Sequence, residues 1–150
     1  MNLESLEKEI LSLIEGEKNL VANLANISSS IFYSYPGLNW CGFYLWDETD
    51  QELILGPFQG RAACLRIKAG KGVCGTSYLK KETIKVDDVH EFPGHIACDS
   101  ASESELVVPM IKNGKVLGVL DLDAPVKARF TDQDAKDFTR IMERVVKQLY

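Results

Sequence analysis

The sequence predicts an α+β domain, a central antiparallel sheet with N- and C-terminal helices packed on one of its faces. Three observations carry this. Apolar residues recur at helical spacing at both ends of the chain. The middle third is strand-like. Asn113-Gly114 between two apolar runs is a strong hairpin signal. The length of 150 residues suits a single domain over 1–150.

Leu3, Leu6, Ile10 and Leu13 mark a first helix face, with Ile14 beside them, and Gly16 interrupts it. Leu20, Leu24, Ile27 and Ile31 mark a second helix, ended by the turn-forming Tyr35-Pro36-Gly37. Residues 40–46 (WCGFYLW) are apolar and aromatic, as in a buried strand. Further strands are expected over 53–55 and 62–67. AGKGVCGTSYLKK, beginning at Ala69, reads as a glycine turn opening a short helix, and 83–86 as a short strand. Residues 87–104 have mixed polarity and no period, which predicts a long loop with at most one helical turn; such loops are often functional. Residues 105–111 and 116–123 form the hairpin. Thr131-Asp132-Gln133-Asp134 resembles a capping box, followed by a helix face of Ala135, Phe138, Met142, Val145 and Leu149.

The composition is that of a globular chain, 45% hydrophobic and 26% charged, which leaves enough apolar residues for a core. A formal net charge of −5 and scattered lysines argue against nucleic acid or an anionic membrane as partner. The N-terminal residues carry acids throughout, unlike a signal peptide, and no apolar stretch is long enough to span a bilayer. A cytoplasmic protein is expected. There, the four cysteines point to catalysis, metal binding or burial before structural cross-linking.

Cys98 sits in the long loop, three residues after His95, which could support a thiolate, and beside Asp99, which opposes one. A buried loop cysteine is the alternative. Cys64 has Arg61 and Arg66 nearby; on a strand it shares a face with Arg66, and it could equally be a small core residue. Cys74 stands where a helix begins, and the helix dipole would favour its thiolate unless it only packs under the turn. Cys41 reads as inert core. Cys64, Cys74, His95 and Cys98 are acceptable zinc ligands, but their spacing fits no CxxC knuckle. Gly70 to Gly75 has the glycine separation of a phosphate loop, yet Thr76 stands where its lysine must be.

Asp121 and Asp123 share a strand face and interrupt an apolar run. Either they lie solvated at a sheet edge, or they form a pocket that binds a ligand's ammonium group or donates a proton. Glu105, across the hairpin, can join them. Trp40 and Tyr44 share a face and either wall a small pocket or pack as core.

Asn39-Trp40-Cys41-Gly42-Phe43-Tyr44, with LGPFQGRAAC, GKGVCGTS, DVHEFPGHIACDSAS, SELVVP and GVLDLD, closely resembles the free methionine-(R)-sulfoxide reductases, a family built on the GAF domain. The resemblance runs over residues 16–148. It implies Cys98 as catalytic nucleophile, Cys64 as resolving partner and Cys74 as an auxiliary cysteine. It implies Glu105, Asp121 and Asp123 around the sulfoxide and amino group, and Trp40 and Tyr44 as the wall for the methyl group. It gives Cys41 no role and calls for no cofactor or metal. It also implies a homodimer recycled by thioredoxin. The pairing requires the fold to bring the Cα atoms of Cys64 and Cys98 within about 7 Å, or the loop to move. Two rivals remain at this level, a non-catalytic GAF sensor of a small ligand and a redox-sensing protein without a sulfoxide substrate.

Overall fold

β1 (Trp40–Asp47) is the axis of the sheet, paired antiparallel with β2 (Glu52–Gly60) on one side and β6 (Lys115–Ala124) on the other. The computed structural model describes residues 3–96 and 98–150. Outward from β2 lies β3 (Arg66–Lys68); outward from β6 lie β5 (Ser104–Lys112) and β4 (Ile84–Val86), giving the order β3-β2-β1-β6-β5-β4. The hairpin between β5 and β6 turns at Asn113 and Gly114, with φ of 52° and 77°. Two successive positive φ values match the strand twist of a tight hairpin, which is why this dipeptide predicts it.

Strand alternation divides the molecule into two layers. Cys41 and Phe43, Leu106 and Val108, and Leu120 and Leu122 face one way. They meet α1 (Leu3–Leu13), α2 (Leu20–Ser34) and α4 (Asp132–Leu149), the expected N- and C-terminal helices. Trp40, Tyr44, Val107 and Val119 face the other way, under α3 (Gly72–Lys80) and Val89, which opens a one-turn 3-10 helix, Val89–Glu91. Asn19 caps α2, and Thr131 with Asp134 closes the expected capping box on α4.

The structure corrects the sequence in three places. The α1 stripe continues to the buried Ile14, one residue past the helix, while Leu13 is 44% exposed. A step of four from Ile10 stays closer to the buried face here than a step of three. The second strand runs far beyond 53–55, to Gly60. The third covers only Arg66–Lys68, so 62–64, expected within a strand, are irregular. Side chains take the carbonyl just before this stretch and the one that ends it instead, with Trp40 Nε1 donating to Arg61 O at 3.0 Å and Tyr44 Oη to Cys64 O at 2.9 Å. Gly60 makes this approach possible. Its φ is +129°, and a Cβ there would stand 2.6 Å from Trp40 Cδ1.

Phe138 is fully buried in the helix-side core and packs edge-on against Tyr35. Phe138→Ala is expected to destabilise the fold by about 3–5 kcal/mol, the usual cost of removing a buried phenylalanine. The urea midpoint would measure this; a shift below about 1 kcal/mol would show that α4 contributes little to the core.

Candidate active site

The site lies on the face that α3 covers. The register sets Asp123 opposite both Trp40 and Glu105, and Asp121 opposite Gly42 and Val107. Cross-strand neighbours point to the same side, so Glu105, Asp121 and Asp123 converge beside the two aromatics. Glu105 and Asp121 are buried, and Asp121 Oδ1 and Asp123 Oδ1 are buried without a hydrogen-bond partner. The acids lie on central strands, which rules out a solvated sheet edge. A pocket opens over them, lined among others by Trp40, Tyr44, Cys74, His95, Cys98 and Glu105.

Burial dominates the electrostatics. It pushes Glu105 well above the ordinary carboxylate range, and the neighbouring charges of Asp121 and Asp123 push it further. Burial also raises Asp123 well above that range, with Asp121 adding to it. Asp121 is raised by burial as well, against opposing hydrogen bonds from Glu105 and Cys74. Each of the three shifts favours the protonated carboxyl over the carboxylate. His95 Nε2 stands 4.0 Å from Glu105 Oε1. Burial lowers the pKa of His95, so the ring favours its neutral form.

The cysteines sort differently from one another. Cys64 and Cys98, 34 positions apart, form a disulfide with Cα atoms separated by 5.4 Å. That satisfies the reach the pairing requires. The bond removes two members of the four-residue zinc set, since a disulfide sulfur is no thiolate ligand. Cys64 does not share a strand face with Arg66, whose guanidinium reaches Asp50 at 2.8 Å and Glu52 at 3.4 Å. Cys74 lies at the start of α3, but burial first, and then Asp121 and Glu105, push its thiol pKa well up. The dipole expectation therefore fails there. Its Sγ stands 4.0 Å from Glu105 Oε2, as a thiol facing a carboxyl. Cys41 is buried on the opposite face, as inert core.

Asn39 and Ser102, both without a predicted role, hold the Cys98 loop together with Asp99. Asn39 Nδ2 donates to Asp99 Oδ2 and to Ser102 Oγ, each at 3.1 Å. Asp99 Oδ1 accepts from Ala101 N at 2.9 Å, so this carboxylate anchors the loop. Asn39 immediately precedes β1, and only its place at a strand entrance hinted at this.

The GAF domain family matches residues 20–149. The free methionine-R-sulfoxide reductase of Escherichia coli (strain K12) is 43% identical over 144 residues, covering 96% of this chain and 86% of that protein. The free methionine-R-sulfoxide reductase of Saccharomyces cerevisiae is 47% identical over 152 residues, covering 95% of this chain and 84% of its own length. A solved structure of fRMsr of Staphylococcus aureus in complex with substrate superposes with a TM-score of 0.93 at 48% identity, over 99% of this chain and 96% of that one.

Because Glu105 and Asp123 hold protons more tightly folded than unfolded, they favour folding at low pH. That contribution is lost as pH rises through their raised pKa values. Glu105→Gln, which cannot ionise, is therefore expected to exceed wild type in urea midpoint at pH 8, with the gap narrowing toward pH 4. A gap independent of pH would contradict the burial of a titrating cluster.

Proposed function

The chain belongs to the free methionine-R-sulfoxide reductases of the GAF domain family, and from that premise we propose how its residues divide the work. The enzyme reduces free methionine (R)-sulfoxide to methionine by thiol chemistry. The observation that carries the division is the Cys64–Cys98 disulfide beside a pocket of buried acids.

Cys98 lines the pocket and is the nucleophile. Its thiolate attacks the sulfoxide sulfur, while protonated Glu105 or Asp123 donates to the sulfoxide oxygen and weakens the S–O bond. The oxygen then shifts from the methionine sulfur to the Cys98 sulfur as the S–O bond and the transient S–S bond break, so methionine leaves with the electron pair on its sulfur and Cys98 becomes a sulfenic acid. The Cys64 thiol then attacks the Cys98 sulfur. Water departs and the disulfide forms. Trp40 and Tyr44, whose rings stack with centroids 5.9 Å apart, wall the methyl group. Asp121, with Asp123, faces the ammonium group. A peptide-linked methionine offers no such cation to the enclosed acids, which favours the free amino acid. Cys74, held as a buried thiol against Glu105, acts as an auxiliary donor to the carboxyl groups.

Thioredoxin is the proposed reductant, the cytoplasm the proposed compartment and a homodimer the proposed assembly, each supported by the sequence resemblance. Among the described residues no helix is long and apolar enough to cross a membrane.

Single-turnover assays with free methionine (R)-sulfoxide test the roles. Cys98→Ser is expected to release no methionine. Cys64→Ser is expected to release one equivalent and then stop in the presence of thioredoxin. Asp123→Asn is expected to slow release by about 10²-fold, the low end of loss for a general acid. The reverse pattern for the two cysteines would exchange their roles, and a ligand sensor would bind without releasing methionine at all.

A further inference from the structure

Resting on the catalytic reading above, we propose that the reductant protein docks on the Cys64 side of the disulfide, over Leu65, and attacks Cys64 while Cys98 departs. Both sulfur-bearing residues are part-exposed. Cys98 lines the substrate pocket and Cys64 does not. The inner side of the Cys64 segment is occupied, because Trp40 and Tyr44 hold the carbonyls of Arg61 and Cys64 from within. The proposed approach is therefore from outside the pocket, onto the part-exposed Cys64.

Charge favours the same side. Attack on Cys98 would have to come through the substrate pocket, lined by Asp99, Glu105, Asp121 and Asp123 as well as Lys71. From Gly60 to Lys81 the chain has no acid, and it carries Arg61, Arg66, Lys68, Lys71, Lys80 and Lys81 within a protein of net charge −5. Arg66 is paired, but no ion pair engages Arg61, Lys68 or Lys71 among the described residues. An approaching thiolate and an acidic partner face are both attracted there. Leu65 stands next to Cys64 with 71% of its surface exposed, and its backbone is pinned because Leu55 N donates to Leu65 O at 2.9 Å. A fixed, exposed leucine beside the electrophilic sulfur, within a basic segment, fits a dithiol protein whose attacking cysteine sits in an apolar surface with acids around it.

The exchange balances as follows. The reductant thiolate forms a bond to Cys64 Sγ, the Cys64–Cys98 bond breaks, and Cys98 leaves as a thiolate that takes a proton from water. The second reductant thiol, after losing its proton, attacks the reductant sulfur of the mixed disulfide. Cys64 leaves as a thiolate and is protonated, and the reductant carries away the disulfide.

Oxidised full-length protein mixed with a thioredoxin retaining only its attacking cysteine would trap the mixed disulfide. Trypsin separates the two candidates, since Cys64 lies between Arg61 and Arg66 while Cys98 lies between Lys85 and Lys112. The cross-link is expected on Cys64. A cross-link on Cys98, or on neither cysteine while intact thioredoxin reduces the bond, overturns the proposal. Leu65→Asp is expected to raise KM for thioredoxin about tenfold, as loss of an interface anchor does, with single-turnover methionine release unchanged; an unchanged KM overturns the docking face. Failure of wild type to release methionine would instead count against the catalytic reading, and the mapped cysteine would still decide the face.

Discussion

Three carboxyl groups forced together on one buried sheet face are the constraint on which the site depends. Water cannot solvate them fully, and the charge of Asp121 disfavours ionisation of Glu105 and Asp123. The register of β5, β6 and β1 fixes their convergence, so the fold cannot relieve it by moving one away. The relief available is chemical: protons kept at neutral pH, or a cationic ligand. The proposed mechanism uses both, with the substrate's ammonium group compensating charge and its S–O oxygen accepting a proton.

The same aromatic pair serves two structural ends. Trp40 and Tyr44 form the apolar side of the pocket, and their polar tips hold the irregular segment bearing Cys64. Asn39, one residue before Trp40, holds the loop bearing Cys98 through Asp99 and Ser102. The start of β1 and the residue before it thus hold both segments that bear the redox cysteines, whose Cα atoms lie 5.4 Å apart. This explains how residues distant in sequence reach bonding distance without a long shared element.

Much of this was legible in the sequence. Helical spacing in the terminal segments, the aromatic strand and Asn113-Gly114 report local preferences that tertiary packing reinforces. Asp121 and Asp123 were legible as an anomaly, because acids at alternate positions of an apolar strand need a reason. The strand expected over 62–67 failed because backbone pairing there is replaced by side-chain donors from β1, which no local pattern encodes. Asn39 escaped for the same reason: its partners lie about sixty positions away. The dipole expectation for Cys74 failed because burial depends on what the sheet places above it, here two carboxylates.

The retained proton is the central physical claim, and it can be observed directly. Carbon-13 NMR of the Glu105 side-chain carboxyl, followed as a function of pH in the reduced protein, reads its protonation. The account predicts a carboxyl still protonated at neutral pH, titrating well above the ordinary value of 4.5. Titration at that ordinary value, with full ionisation by neutral pH, would contradict it.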